Sequence, residues 1–176
     1  MKCHGKKGKV CAEPKRWRRC FRFAPDGIGR LTTRNGRETI KRVMTVPNRA
    51  RDWLRQAIHD LEQAEESRRA GRHDWACFAA QQAATKAVKA LHLHLGQEAW
   101  GQVIARLLQE LPPEVTVPAE LMEQARVLDN FYIPTRYPNS HAEGAPFEHY
   151  GPLQSEVALR YARAIVEFVR AQMGEP

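Results

Sequence analysis

The sequence predicts an all-α protein, an antiparallel bundle of four to five helices preceded by a basic segment of low order. Three observations carry that reading. From Met44 onward, apolar residues recur at intervals of three and four. No window alternates polar and apolar as a half-buried strand does. Prolines and glycines fall where helices begin and end, leaving short connections that suit antiparallel neighbours around one core.

The first helix begins after Pro47, whose missing N–H costs nothing in a first turn, and Gly71 stops it. Ala50, Trp53, Leu54, Ala57, Ile58, Leu61 and Ala64 make its apolar stripe. Asp74 is the expected cap of the second helix, DWACFAAQQAATKAVKALHLHLG, with Trp75, Phe78, Ala79, Ala83, Ala87, Leu91 and Leu95 on its inner side. Its alanines let a neighbouring backbone approach closely. A short third helix spans Gln102 to Leu111, carries Val103, Leu107, Leu108 and Leu111, and ends at Pro112-Pro113. Pro118 opens PAELMEQARVLDNFYI, with Leu121, Ala125, Leu128 and either Phe131 or Tyr132 in register. Pro152 begins the last helix, whose seam of Val157, Tyr161, Ala164, Ile165 and Phe168 runs to about Met173.

Composition sets the outer limits. The 176 residues, 43% hydrophobic and 27% charged, suffice for one domain with a modest core. No apolar run is long enough to span a bilayer as a helix, and no membrane partner is expected. The net charge of +8 is unevenly placed: residues 1–43 hold 14 Lys and Arg against 3 Asp and Glu, and the rest hold 14 against 17. A front segment of +11 and a body of −3 follow, so nucleic-acid contact by the body has to come from a local patch.

The chain divides at that point into residues 1–43 and a helical domain of residues 44–176. Three readings of the front segment stand open: a disordered basic tail, a zinc-binding appendage, or sequence ahead of a natural start at Met44. Cys3, His4, Cys11 and Cys20 supply four ligands for zinc but none of the close pairs that nucleate a site. Cys77 stands alone in the body, and this cysteine usage, with no apolar signal region, fits a reducing, cytoplasmic setting.

Chemistry concentrates in FYIPTRYPNSHAEG, residues 131–144. Arg136 and His141 are separated by four residues, and Pro134 and Pro138 stiffen the backbone around them. A guanidinium fork suits phosphate oxygens, and an imidazole moves protons near neutral pH, a combination that suits phosphodiester chemistry. The plainer reading makes Arg136 a surface ion-pair partner or helix C-cap, Asn139 and Ser140 turn residues, and Tyr132 and Tyr137 seals on the core. His92 and His94 point to different faces of one helix and form no one-sided metal pair.

The helical hairpin RDWLRQAIHDLEQAEESRRAGRHDWACFAAQQAATKAVKALHLHLG, the passage DNFYIPTRYP, and RYPNSH with the closing helix together resemble the HEPN domains of bacteria and archaea, over Met44 to about Met173. The family's ribonuclease motif is Arg, four to six residues, then His, which Arg136 and His141 match. The resemblance implies a two-fold homodimer whose motif loops meet in one cleft. There His141 would move the proton of a ribose 2′-hydroxyl or of the leaving oxygen, while Arg136 steadies the charged transition state. It implies no metal and no cofactor.

Asn139 would steer the phosphate or orient His141. Tyr137, in the position after the Arg where Asn or Asp is commoner, would bind or orient substrate. Where some toxin members carry a modifiable Tyr two residues beyond the His, this chain has Glu143, and Tyr150 is the nearest downstream Tyr. The implied function is a metal-independent RNA endonuclease, the toxin half of a pair with a minimal nucleotidyltransferase. The alternatives are a non-catalytic nucleotide-binding or scaffold module that assists such an enzyme, and a nucleic-acid binder driven by the basic front segment.

Overall fold

The computed structural model describes residues 48–174. Residues 1–43, with the zinc-ligand candidates, and Pro47 lie outside the described residues. Among those described there is no strand and there are six α-helices. These are α1 (Ala50–Arg69), α2 (His73–His94), α3 (Ile104–Gln109), α4 (Ala119–Asp129), α5 (Pro146–His149) and α6 (Pro152–Met173), with a 3₁₀ turn at Pro138–Ser140. The single-turn α5 is the element beyond the four or five expected.

Helix α2 is the centre of the bundle, packing against α1, α6, α3, α4 and α5. Its composition permits this: Ala76, Ala80, Ala83, Ala84, Ala87 and Ala90 are all buried, so neighbours crowd its backbone from several sides. Bulk comes from the partners, through Leu107 and Leu108 of α3, Leu128 of α4, and Leu159 and Ile165 of α6. Each such side chain contributes about 1.5–3 kcal/mol when fully buried.

The expected stops at Gly71 and Gly96 are both present. Each glycine has positive φ (72° and 74°), and the residue after it donates its N–H back to the helix, Arg72 to Ser67 O and Gln97 to His92 O. At the start of α1, Asn48 accepts the Ala50 N–H through its side chain (2.9 Å). Asp74 is not a cap: it sits buried in the first turn of α2, where its charge suits the helix N-terminus.

Several expected core positions are rotated. Trp53 (37% exposed) and Trp75 (49%) face outward, because the bulky aromatics mark the outer edge of a helix hairpin whose inside is alanine. Leu95 and Val103 are exposed because each flanks a helix, Leu95 after α2 and Val103 before α3. In α6 the buried face is Ser155, Ala158, Leu159, Ala162, Ile165, Val166, Val169 and Met173, and the expected seam residues Val157, Tyr161, Ala164 and Phe168 are only partly covered. Small residues again take the closest approach, to α2.

Two polar ties fix the short helices and the long ones. Asp129, the last residue of α4, accepts the N–H groups of Ile104 (2.6 Å) and Ala105 (3.1 Å), satisfying the open end of α3. Burial pushes its carboxyl above the ordinary value, and those two hydrogen bonds partly offset this. Glu65 of α1 accepts from Arg68 (3.0 Å) and from Arg163 of α6 (2.9 Å). The Arg68 hydrogen bond chiefly holds the Glu65 carboxyl below its ordinary value.

Candidate active site

The chain leaves α4 at Asp129 and passes through successive turns rather than straight into a loop. Thr135 is the anchor: it is 2% exposed, and its hydroxyl donates to Phe131 O (2.7 Å). The Arg136 N–H donates to Ile133 O (3.1 Å). With Thr135 turned inward, the side chain of Arg136 runs back over α2. Its guanidinium carbon lies 4.4 Å from the ring centre of Phe78, 4.7 Å from Tyr132 and 5.0 Å from Tyr137. Such contacts contribute about 0.5–1 kcal/mol each at exposed sites.

One nitrogen of Arg136 is committed, Nε donating to Tyr132 O (3.0 Å). No carboxylate pairs with it among the described residues, and its two terminal nitrogens have no protein acceptor there. The plainer reading of Arg136 as a surface ion-pair partner therefore fails, although the Tyr132 bond does tie it to the end of α4.

After the 3₁₀ turn, the His141 N–H donates to Pro138 O (2.9 Å). The half-buried imidazole folds back so that Nε2 meets Pro134 O at 2.7 Å. A carbonyl only accepts, so Nε2 carries the hydrogen and Nδ1 is left as a lone-pair acceptor with no partner among the described residues. Arg136 and His141 thus both bond backbone carbonyls of the same segment, Tyr132 O and Pro134 O, but do not hydrogen-bond each other. Tyr137 is half exposed beneath the guanidinium, and Asn139 is exposed with its side chain unbonded.

Sequence reasoning missed two participants, Phe78 and His149, and gave Tyr150 no part beside His141. Phe78 was expected in the core, yet with Tyr132 it makes the platform under Arg136. His149 carried no motif signal, yet its ring stacks on that of His141, centres 4.0 Å apart and planes within 3°. Tyr150 meets His141 edge-on (6.0 Å, 77°), and its hydroxyl is pushed above the ordinary value first by burial, then by Cys77 and Asp74. Phe78 also lines an open groove of about 470 Å³ between α1 and α2, with Trp75, Gln63, Gln82 and the Asp60–Lys86 ion pair.

Other candidate groups are structural. The thiol of Cys77 is pushed up to about 12 by burial and Asp74, so it is no nucleophile. His92 is buried with both ring nitrogens hydrogen-bonded, His73 bonds Ser155, and His59 pairs with Glu62 on the surface. No three His, Cys, Asp or Glu side chains among the described residues converge as metal ligands would. No helix among them is long and apolar enough to cross a membrane.

Comparison with known proteins agrees with this architecture. The HEPN domain family model matches residues 50–172. No functionally curated protein matches. Among solved structures, TT1696 from Thermus thermophilus is 54% identical, with 71% of this chain and 98% of that one covered and a TM-score of 0.71. ST0689, an archaeal HEPN homologue, is 37% identical, with 70% and 97% covered and a TM-score of 0.62. A HEPN domain protein from Thermotoga maritima is 33% identical, with 71% and 99% covered and a TM-score of 0.57. A family match over nearly all of the described residues, together with relatives aligned almost end to end, shows that the chain belongs to the HEPN domain family.

Proposed function

We propose that the chain is a metal-independent RNA endonuclease that acts as a cytoplasmic homodimer. The observation that carries this is the state of Arg136: a cation stacked among three aromatic rings, with no carboxylate partner and two terminal nitrogens uncommitted, in the same short segment as an imidazole whose Nδ1 is free. A structural arginine normally satisfies its fork within the fold. This one presents it.

The chemistry runs through the ribose 2′-hydroxyl. His141 Nδ1 takes its proton, the 2′-oxygen attacks the adjacent phosphorus, and the bond to the 5′-oxygen breaks as that oxygen takes up a proton. Arg136 steadies the charge that develops on the phosphoryl oxygens. The products are a 2′,3′-cyclic phosphate and a 5′-hydroxyl end. Asn139, exposed and unbonded beside His141, is placed to orient the phosphate, and Tyr137 supports the guanidinium from below.

A second copy completes the site. Exposed apolar residues gather in and around the motif segment, at Trp75, Ile133, Tyr137, Phe147 and Leu153, and a two-fold interface there would cover them while setting two motif segments face to face. The toxin role and the minimal-nucleotidyltransferase partner rest on the family resemblance. The basic residues 1–43 add salt-dependent affinity for RNA ahead of a separately folding 44–176 domain.

The test is incubation of the full chain with a mixed single-stranded RNA pool in EDTA, followed by analysis of the new ends. Cyclic phosphate and 5′-hydroxyl ends are expected. A folded dimer that leaves every RNA intact but binds nucleotide phosphates through Arg136 would instead be the non-catalytic nucleotide-binding module.

A further inference from the structure

Cleavage by this route needs two proton transfers, and His141 as base supplies one. Directly against His141 lies a second imidazole. The rings of His141 and His149 are parallel to within 3° with centres 4.0 Å apart. His149 Nε2 meets Glu143 O at 2.7 Å, just as His141 Nε2 meets Pro134 O, so each ring has its Nε2 hydrogen fixed on a backbone carbonyl and its Nδ1 without a partner among the described residues.

The backbone is shaped around this contact. Gly144 has φ of +77°, and a Cβ there would stand 3.2 Å from His149 Nε2 and 2.6 Å from Glu148 Oε2. A side chain at 144 would therefore press on the ring that reaches across to Glu143. The neighbouring carboxylate is also turned away, since Glu148 Oε2 accepts the Ala145 N–H (2.7 Å) rather than engaging an imidazole.

We propose that His149 is the general acid of the reaction, partnered by His141 as the base within the same protomer. The inference rests on the ribonuclease reading above. Two stacked rings at this distance repel when both are charged, so the two take unlike roles in the step, one neutral as base and one cationic as acid. His149 is the exposed ring, open to exchange with water, and His141 the half-buried one.

The step then balances. Neutral His141 accepts the 2′-hydroxyl proton at Nδ1 while the bond from the 2′-oxygen to phosphorus forms. As the bond from phosphorus to the 5′-oxygen breaks, that oxygen takes the Nδ1 proton of cationic His149. His141 ends with the proton taken from the 2′-hydroxyl and His149 ends neutral, so the charge on the pair is unchanged, and exchange with water resets the two rings. The other titratable groups around the pair are Tyr150, edge-on to His141, Glu143 and Glu148 of the same segment, and Asp74 and Cys77 of α2, which act on Tyr150.

The experiment compares two substrates in the full-length protein. One is a plain RNA dinucleotide, and the other is the 4-nitrophenyl ester of uridine 3′-phosphate, whose leaving group departs without a proton. His149→Gln keeps a donor for Glu143 O but has no proton to give, and His149→Phe keeps only the stack. Both variants should lose about 100-fold or more on the dinucleotide, together with the fall in rate at high pH that reports the acid. Both should cleave the nitrophenyl ester at close to the wild-type rate. His141→Phe should fail on both substrates.

Equal losses on the two substrates, or His149→Gln with an unchanged rate and pH profile, would overturn the assignment while leaving the ribonuclease reading in place. A wild type inactive on both substrates would overturn that reading and this role together.

Discussion

Two histidine environments in this molecule use the same kind of contact to opposite ends. His92, at the end of α2, is 2% exposed, with one ring nitrogen bonded to the Gln97 side chain (2.9 Å) and the other to Leu107 O (2.8 Å). His141 also leans on a backbone carbonyl, but only through Nε2, and it remains half buried with Nδ1 open. A ring whose hydrogen-bonding capacity is used up joins α2 to the segment around α3. A ring held by one nitrogen is oriented and still able to react. Arg136 follows the second pattern, with Nε spent on Tyr132 O and the fork uncommitted, whereas Arg163 turns its fork to the Glu65 carboxylate. In this fold, leftover capacity separates the candidate site from the scaffold better than residue type does.

A large effect is expected on the reactive side of the comparison. Arg136→Lys keeps the charge but loses the planar fork, and the rate of RNA cleavage should fall about a hundred- to thousand-fold, or roughly 3–4 kcal/mol. The melting temperature should fall only modestly, because lysine keeps a cation over the rings and no ion pair is lost, although the Nε bond to Tyr132 O goes. His92→Ala should do the reverse. It leaves buried polar partners unpaired beside a cavity, so urea denaturation should show a loss of about 2–4 kcal/mol, with activity per folded molecule unchanged.

A smaller effect is expected at the joint between α3 and α4. Asp129→Ala removes the acceptor for two N–H groups and should cost about 1–2 kcal/mol in the same denaturation assay. Because burial raises the Asp129 carboxyl above its ordinary value, the folded state binds its proton more tightly than the unfolded chain does. Its contribution is therefore fully present below the ordinary carboxylate value and declines as pH rises through the raised one, a slope that Asp129→Asn should remove. The smallest effect lies at Glu65, whose carboxyl is lowered chiefly by Arg68. Its contribution is present above the ordinary value of 4.5 and is lost as pH falls through the lowered one, so Glu65→Gln should flatten acid unfolding there.

How much of this the sequence carried depends on the range of the interaction. The ends of helices are local events, so Gly71, Gly96 and Pro152 marked them correctly, and one-sided α4 showed its buried Leu121, Ala125 and Leu128. Helix α2 is covered by five neighbours, so its burial has little period, and Trp75 and Phe78 pulled the expected face the wrong way. Asp129 completes α3 from α4, a pairing no local window contains.

The segment holding Arg136 and His141 was legible as stiff, polar and proline-bounded, but spacing alone did not single the pair out. Its match to a family motif did. Phe78 reaches Arg136 only through the packing of α2 on the turns after α4, and His149 reaches His141 only because α5 folds back. Neither contact leaves a mark in the sequence.

The most direct test of the central claim, that the segment after α4 carries chemistry rather than structure, is His141→Ala measured for RNA cleavage in EDTA alongside thermal unfolding. The ring makes a single side-chain hydrogen bond, so the variant should melt close to the wild type and keep its circular dichroism. Its cleavage rate should fall by about two to four orders of magnitude, as expected for removal of a general base. A folded variant that cleaves as fast as the wild type would contradict the account.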